Sequence, residues 1–404
     1  MKKGWELIQL GDLCEFRNGL WKGKKPPYIT AKVIRMTNFT KECEMNDLEP
    51  IELEVEEKQF LTRNLIDGDL LLEKSGGGPN QPVGRVVRFI AKSDENFSFS
   101  NFTTRIRIID SEYIESKYLH KYLKYFYLIG ETEKFQNNST NIRNLSLPAF
   151  KEISIPTPPL DEQKRIVVKL DECFEAIEKA RVNVEKNLNN AKELFQSQLN
   201  QILSQKGDGW VEKKLGEVCV VERGSSPRPI KDYLTESEDG VNWIKIGDTK
   251  NVEKYIYTTK QKITKEGAKR SRFVDVGDFI LTNSMTYGKP YIMKVKGYIH
   301  DGWFVLRLPD EINSEFFWYL LASPYTMEQF EYLAAGAIVK NISGDLVKKA
   351  ILPIPPIGEQ ATIVEKMDTL SSQTQTLKSN YQQELDALDE LKKSILQKAF
   401  NGEL

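Results

Sequence analysis

Cationic, amide and aromatic side chains gather in a few short loops of this chain. In the first half, Trp21 begins a Trp-Lys-Gly-Lys-Lys sequence, and an amide-rich run from 137 to 141 leads to Arg143. Lysine and arginine bind phosphate oxygens, aromatic rings stack on bases, and asparagine and arginine can bond the edges of adenine and guanine. These residue types are suited to holding a nucleic acid.

Two sets of candidate contact residues follow, one in each half of the chain. Several lie beside glycines, which let a backbone approach a ligand closely. The stretch 260–272 is the most one-sided, with six basic residues and Glu266 as its only acid. The first set is Lys22, Lys24, Lys25, Arg35, Asn38, Lys74, Asn138, Asn141 and Arg143, and the second is Arg228, Lys231, Lys262, Lys265, Lys269, Arg270, Arg272, Lys289 and Lys340.

Each candidate also has a structural interpretation. A lysine-rich surface loop is often only solvated, and asparagine-rich turns often bond their own backbone. The chain carries 57 Lys+Arg against 58 Asp+Glu, so any nucleic-acid surface must be a local patch.

Signatures of catalysis and metal binding are missing from the sequence. It contains no GxxxxGK[ST], HExxH or GxSxG motif, and its Pro-Pro phrases lack the Asn/Asp-Pro-Pro-Tyr/Phe form of amino-methyltransferases. Two histidines and four cysteines without a CxxC pair do not suggest a metal site, and reduced cysteines are expected. No apolar run approaches the length of a membrane span. We therefore expect a non-catalytic, cytoplasmic protein without a membrane segment.

An internal repeat organises the chain. Gly4-Trp5 returns as Gly209-Trp210, and Gly68-Asp69 returns as Gly277-Asp278. The phrase Pro-Thr-Pro-Pro-Leu-Asp-Glu-Gln at 156–163 returns as Pro-Ile-Pro-Pro-Ile-Gly-Glu-Gln after 352. A unit of about 200 residues is used twice.

A long helix is predicted after each proline phrase, because a long proline-free run begins there. Apolar residues recur at a and d spacing, which is typical of a two-helix coiled coil; an ordinary amphipathic helix against a domain core is the alternative. Each helix would be roughly 60 to 70 Å long. The predicted packing residues are Val167, Leu170, Phe174, Ile177, Val184 and Leu188 in the first helix, and Met367, Leu370, Leu377, Tyr381, Leu388 and Leu391 in the second.

The predicted fold class is α+β with four segments. Residues 1–155 and 207–352 form two repeated globular domains of mixed α/β structure, while 156–206 and 353–404 form proline phrases and spacer helices. Because the first helix leads out of one domain and the second leaves the other, paired helices must run antiparallel. The expected architecture is pseudo-twofold symmetric, with the domains separated by the two coiled-coil helices and two equivalent docking faces for a partner.

These features together resemble the specificity subunit of a type I restriction–modification enzyme. The resemblance covers the whole chain and is carried by the Gly-Trp starts at 4–5 and 209–210 and the proline phrases at 156–163 and 353–360. The two long helices and the closing segment 391–404 also carry it. The duplicated pattern is specific, whereas either phrase alone is weak.

The resemblance implies that each globular part is a target recognition domain for one half of a bipartite site in double-stranded DNA. It implies helices that dock two adenine-methyltransferase subunits, which restriction subunits join. S-adenosylmethionine, ATP and Mg²⁺ are then expected on the partner subunits, and no cofactor on this chain. A coiled-coil scaffold with two protein-binding modules and no DNA role is the alternative that near-neutral charge leaves open, and an enzyme with an unrecognised site is a third.

Overall fold

The computed structural model describes residues 4–21, 25–78, 81–91, 95–139, 142–283, 288–334 and 342–404, without the side chains of Asn138, Ser139 and Ala334. The chain divides into two compact units. Unit 1 comprises Met1–Glu185 with Gln383–Leu404, and unit 2 comprises Lys186–Gln382. Each unit therefore contains one globular part and a segment of both long helices.

Unit 1 begins with a mixed globular part. Its strands are β1 (Glu6–Gln9), β2 (Cys14–Asn18), β3 (Tyr28–Ile34), β4 (Ile51–Glu56), β5 (Leu70–Glu73), β6 (Ser75–Gly77), β7 (Val86–Arg88), β8 (Phe97–Phe99), β9 (Thr103–Ile108), β10 (Gln136–Ser139), β11 (Ile142–Leu145) and β12 (Ser154–Thr157). Its helices are α1 (Leu10–Leu13), α2 (Glu57–Arg63), α3 (Ser116–Leu128) and α4 (Leu147–Lys151), followed by the first long helix, α5 (Leu160–Ser204).

A sheet of order β2-β9-β5-β7 forms the centre of this globular part. Alternate side chains of its strands face opposite sides. Leu70 and Ile106 pack with α3 on one side, while Leu71 and Val87 pack with Phe99 on the other. Smaller sheets of order β4-β3-β8 and β10-β11-β6 flank it.

Unit 2 repeats this plan. Its strands are β13 (Val211–Lys214), β14 (Val220–Arg223), β15 (Leu234–Thr235), β16 (Val241–Ile244), β17 (Tyr255–Ile256), β18 (Gln261–Ile263), β19 (Arg272–Val274), β20 (Phe279–Thr282), β21 (Pro290–Met293), β22 (Gly297–Ile299), β23 (Trp303–Arg307) and β24 (Ile351–Ile354). Its helices are α6 (Leu215–Val218), α7 (Lys265–Ala268), α8 (Ser314–Ala322), α9 (Pro324–Ala334) and α10 (Gly344–Val347), followed by the second long helix, α11 (Ile357–Asn401). The central sheet has the order β14-β23-β20-β21-β17, which matches that of unit 1 with one strand added.

The repeated sequence phrases have repeated structural roles. The strand in the first proline phrase, β12, pairs antiparallel with β1, and β24 pairs with β13 in the same way. In the Gly-Asp phrases, Asp69 accepts two hydrogen bonds from Arg107 at 2.7 Å, and Asp278 forms an ion pair with Arg307 at 3.4 Å. The predicted internal repeat is therefore confirmed element by element.

The glutamine of each proline phrase fixes the start of a long helix. Gln163 is buried; its Oε1 accepts the Glu115 amide at 2.9 Å and its Nε2 donates to the carbonyl of Pro158 at 2.8 Å. Gln360 bonds the Asn313 amide and the carbonyl of Pro355 in the same manner, at 2.8 and 3.0 Å. Because these amides lie where α3 and α8 begin, each glutamine ties a long helix to a helix of its globular part.

The two long helices are confirmed, each with 45 residues. In unit 1, the carbonyl of Leu404 accepts a hydrogen bond from Arg165, and Arg181 forms an ion pair with Asp389 further along α5. The α5 and α11 segments of unit 1 therefore run antiparallel. In unit 2, the end of α5 and the start of α11 share the core of the globular part. No helix in the described part of the chain is long and apolar enough to cross a membrane.

The predicted packing residues of α5 lie where the heptad pattern puts them. Val167, Leu170 and Ile177 are buried, and Phe174 packs against the core of unit 1. Val184 and Leu188 are half-buried.

In α11 the predicted seam is partly wrong. Met367 is buried and Leu370, Tyr381 and Leu388 are half-buried, but Leu377 and Leu391 are 38% and 45% exposed. Beside the two exposed leucines, Lys378 and Lys392 are half-buried, each one residue further along the helix, and Leu385 is a buried residue of the same face. Lysine stems can cover apolar surface while the charge stays in water, so a hydrophobic pattern does not detect them.

Gly224 shows how closely the repeated sheet packs at its edge. A Cβ at this position would lie 2.0 Å from the carbonyl oxygen of His300, and Gly19 meets Ser100 in the same way at 1.9 Å. We expect Gly224→Ala to lower the free energy of unfolding by about 2–3 kcal/mol, because the backbone must shift. Urea unfolding of the full chain measures this. Gly358→Ala is the matched control, since its Cβ would meet nothing within 4 Å; equal losses in both variants would contradict the steric explanation.

Candidate nucleic-acid interface

Three segments of unit 1 meet at one edge of its central sheet. They are 17–21 at the end of β2, 74–78 after β5, and 100–103 ahead of β9. The registers Asn18↔Thr104 and Glu73↔Thr103 place these strand ends side by side. We call this surface the loop junction of unit 1.

Backbone hydrogen bonds hold the loop junction of unit 1 together, while side chains remain at its surface. The Gly19 amide donates to the carbonyl of Thr103 at 3.2 Å, and the Lys74 amide donates to that of Phe102 at 3.1 Å. Lys74 also donates from Nζ to Oδ1 of the exposed Asn18 at 2.8 Å, and burial lowers the pKa of this lysine. Trp21 and Phe102 are exposed aromatic residues of the same junction.

The loop junction of unit 2 has the same backbone frame. It consists of 222–226, Asn283 and 300–302. The Gly224 amide donates to the carbonyl of Trp303 at 2.8 Å, and the Asn283 amide donates to that of Gly302 at 3.0 Å. Ile342 then donates to the Asn283 carbonyl, as Leu145 does to that of Lys74.

The side chains of the two junctions differ at equivalent positions. Arg223 in unit 2 replaces Asn18, and its Nε donates to the carbonyl of Asp301 at 3.3 Å. Asn283 replaces Lys74, and Asp301 accepts from Ser226 Oγ at 2.6 Å and from Arg228 at 3.4 Å. Two surfaces that share a backbone frame but present different hydrogen-bond donors and acceptors are suited to binding two related ligands with different hydrogen-bonding groups.

His300 in the junction of unit 2 is a neutral donor. Burial lowers its pKa, and its Nδ1 accepts the Gly302 amide at 2.8 Å, which leaves the proton on Nε2. The pKa of Asp301 is also low, chiefly because Ser226 donates to it. The other histidine, His120, is buried against the carbonyls of Cys43 and Val86 and has a structural role. Within the described ranges, no group of three His, Cys, Asp or Glu side chains could hold a metal ion.

Part of the first candidate set lies at or beside the loop junction of unit 1. Lys74 belongs to it, and Arg143 on β11 pairs with Gly77 of β6 and donates to Glu133 at 3.0 Å. Arg35 is exposed just ahead of Met36, whose side chain packs over Gly76. Lys25 is exposed, whereas Lys22, Lys24, Asn141 and the side chain of Asn138 lie outside the description.

Asn38 does not fit the role that the sequence suggested. It is buried, its Oδ1 accepts the Arg35 amide at 3.0 Å, and its Nδ2 donates to the carbonyl of Leu48 at 2.9 Å. Because both ends of the amide are engaged with backbone, Asn38 stabilises a turn and has no free edge for a base.

The second candidate set is dispersed over unit 2. Arg228 lies beside the junction and donates to Asp301, and Arg270 is attached to the junction because its carbonyl accepts from Ser225 Oγ at 3.1 Å. Arg272 forms an ion pair with Glu222 at 2.9 Å. The other described members lie on other elements and are exposed or half-buried: Lys231, Lys262, Lys265, Lys269 and Lys289. Lys340 lies outside the described residues.

Sequence reasoning missed several polar residues at the junctions. Asn18 and Arg223 stand directly before the paired glycines, and Arg17 and Glu222 stand one position earlier. The sequence repeat could have identified these residues. When the two halves are aligned at the matched glycines, the positions just before them differ in charge, which indicates one backbone frame with two different surfaces.

A family model for the type I restriction modification DNA specificity domain matches the chain twice, over residues 2–186 and 207–387. The chain resembles a putative type I restriction enzyme specificity subunit, MjaX, of Methanocaldococcus jannaschii, with 23% identity over 99% of this chain and 93% of the relative. A solved chain from work on complex assembly and conformational transition of the type I R-M system superposes with a TM-score of 0.77 at 20% identity, covering 100% of this chain and 99% of that one. The HsdS subunit from Thermoanaerobacter tengcongensis gives 0.60 at 19% identity, covering 100% and 98%.

These matches place the chain in the class of DNA specificity proteins with a duplicated domain. The chain belongs to the type I restriction modification DNA specificity family, as a specificity subunit. The resemblance seen in the sequence is therefore confirmed, and the structural likeness supports the same fold along the whole chain.

Proposed function

We propose that each unit of this chain recognises one half of a bipartite site in double-stranded DNA through its loop junction. The observation that carries the proposal is the pair of junctions, which share a backbone frame but differ at Asn18 and Arg223 and at Lys74 and Asn283. Bidentate arginine and asparagine contacts distinguish guanine from adenine in the major groove. Because the two junctions share a backbone frame but carry different side chains, we expect them to recognise half-sites of different sequence.

We also propose that the long helices dock two methyltransferase subunits, which restriction subunits join. Two repeated helix segments offer two similar surfaces, which favours two copies of one partner. In this assembly the chain itself is non-catalytic, and S-adenosylmethionine, ATP and Mg²⁺ bind to the partner subunits. We place the complex in the cytoplasm, where its DNA substrate lies.

Exchange of the first globular part tests the assignment of one half-site to each unit. Residues 1–155 are replaced by the corresponding part of another specificity subunit, and the hybrid is expressed with the methyltransferase partner. Sequencing of methylated adenines is expected to show a change in one half of the target and no change in the other. The matched control replaces 207–352. If either exchange altered both halves, recognition by separate units would be wrong.

The alternative function is a scaffold that binds proteins but no DNA. It is separated by titrating the complex with double-stranded DNA at several salt concentrations. A DNA-binding complex loses affinity steeply as salt rises, because counterions are released from the phosphates. Affinity and salt dependence equal to those of the methyltransferase partner without this chain would favour the scaffold.

A further inference from the structure

Three arginines of unit 1 lie in or next to its loop junction. Arg17 on β2 and Arg105 on β9 are direct cross-strand partners. Arg63, at the end of α2, donates from Nε to the carbonyl of Asn18 at 3.0 Å. Arg105 donates in turn from Nη1 to the carbonyl of Asn64 at 2.9 Å. We call these three residues the arginine cluster.

The arginine cluster carries more positive charge than its surroundings neutralise. Like charges directly opposite each other destabilise a pair of strands. Glu15 lies 3.9 Å from Arg105 but is itself largely exposed, and in the described part of the chain no carboxylate pairs with Arg17 or Arg63. Burial and the charge of Arg17 lower the pKa of Arg63. The cluster therefore leaves positive charge at the surface of unit 1 that no described carboxylate neutralises by pairing with Arg17 or Arg63.

The unneutralised positive charge is energetically more unfavourable at Arg105 because this residue is buried. The residue is 3% exposed, and its buried Nε finds no acceptor among the described residues. Buried guanidinium groups are normally paired and fully hydrogen-bonded. Burial, and after it the charge of Arg107, lowers the pKa of Arg105; Asp69 and Glu15 act in the opposite direction, and Arg17 adds a smaller lowering.

Unit 2 provides an internal comparison at the same sheet position. There Glu222 takes the place of Arg17, and Val305 takes the place of Arg105 as its cross-strand partner. Glu222 forms ion pairs with Arg272 and with Arg307. Arg272 also donates to the carbonyl of Arg223, as Arg63 does to that of Asn18. The network of unit 2 is neutralised from within, and that of unit 1 is not.

We propose that the arginine cluster of unit 1 binds a phosphate group of the DNA backbone, with Arg17 and Arg63 as direct ligands above the buried charge of Arg105. Guanidinium groups bind phosphate by paired hydrogen bonds. The neighbouring junction surface, with Asn18 and Lys74, would contact the same DNA strand beside the cluster. This inference rests on the proposed DNA-binding function, and it predicts that the two units hold the DNA backbone differently.

Arg17→Glu is the decisive variant because it copies Glu222 of unit 2. The assembled complex is titrated with a duplex that contains the target sequence identified by sequencing of methylated adenines. The variant is expected to bind at least about tenfold more weakly, and the slope of log affinity against log salt is expected to fall by about one. The melting temperature should be unchanged or higher, since the new carboxylate can pair with Arg63 and Arg105. Arg17→Gln, which adds no acid, should show a smaller loss of affinity in the same direction.

Lys117→Glu is the charge-matched control. Lys117 is exposed on α3, which packs on the opposite side of the central sheet. It is expected to change DNA affinity less than twofold. If Lys117→Glu weakened binding as much as Arg17→Glu, a general charge effect would replace the proposed site.

Inorganic phosphate separates the two sources of the ligand. The melting temperature of wild-type and Arg17→Glu complexes is measured with phosphate or chloride at equal ionic strength. Weaker DNA binding by Arg17→Glu supports a backbone phosphate, whereas a phosphate-dependent stabilisation lost in Arg17→Glu without any DNA effect assigns the site to free phosphate. If Arg17→Glu changed neither DNA binding nor the phosphate-dependent stabilisation, the inference would be overturned. If the wild-type complex bound no DNA, the proposed function would fail and the phosphate measurement alone would decide the site.

Discussion

Replacing Arg85 with methionine is expected to destabilise unit 1 by about 3–5 kcal/mol, because it leaves a carboxylate buried without its partner. Arg85 donates to Glu73 from Nε at 2.8 Å and from Nη2 at 2.6 Å, and both residues are buried. Its Nη1 donates to the carbonyl of Phe39 at 3.0 Å. The variant therefore loses the ion pair and the attachment of the Phe39 loop together. Urea unfolding of the full chain measures the change.

The effect of Arg85→Met should extend to the loop junction. Glu73 is the last residue of β5 and directly precedes Lys74, so strain at Glu73 displaces a junction residue. Weaker DNA binding is expected along with lower stability. Adding Glu73→Leu should recover much of the lost stability, since an apolar pair leaves no buried charge. A double variant as unstable as the single one would contradict this explanation.

A surface pair provides the second control for Arg85→Met. Lys179 and Glu175 on α5 form an ion pair at 2.6 Å, but both side chains are largely exposed. Exposed pairs contribute about 0–1 kcal/mol, so Lys179→Met should be nearly neutral. The contrast tests whether burial, rather than pairing alone, determines the cost.

The duplicated architecture could be predicted from the sequence because its signals are local and repeated. The proline phrases mark where β12 and β24 end and the long helices begin, and the two Gly-Trp pairs mark the start of each globular part. The role of Gln163 was not predictable in the same way. Two of its three partners, Tyr113 and Glu115, lie 50 and 48 residues earlier in the chain, and a single sequence does not show which distant backbone groups meet a side chain.

The candidate site was only partly predictable, because side-chain type does not reveal whether a side chain is free. Asn38 has the chemistry to bond a base but is consumed by its own turn. Arg17 was not among the candidate residues, and its significance depends on Arg105 across the sheet. Similarly, Lys392 of α11 lies 5.2 Å from the ring of Phe174, where an apolar seam residue was expected. Contacts between strands and helices decide these cases.

Phe400→Ala is expected to lower the free energy of unfolding of unit 1 by about 3–5 kcal/mol, the usual range for a buried phenylalanine. The ring centroid of Phe400 lies 5.5 Å from that of Tyr118, 5.0 Å from Tyr122 and 5.6 Å from Tyr125. These three tyrosines belong to α3. The ring therefore fixes the end of α11 to the globular part of unit 1, and its loss leaves a cavity among aromatic rings that cannot easily collapse.

Hydrogen exchange shows whether Phe400→Ala acts through the helix end. We expect faster exchange for the last turns of α11, together with a lower melting temperature of the full chain. Leu391→Ala is the matched control, because Leu391 lies on the same helix but is 45% exposed and outside the corrected seam. Its cost should stay below about 0.5 kcal/mol. Equal destabilisation by the two variants would mean that Leu391 packs inward after all, and that the heptad register inferred from the sequence was correct. A selective effect of Phe400→Ala would show instead that the aromatic contact with α3 holds this end of the helix.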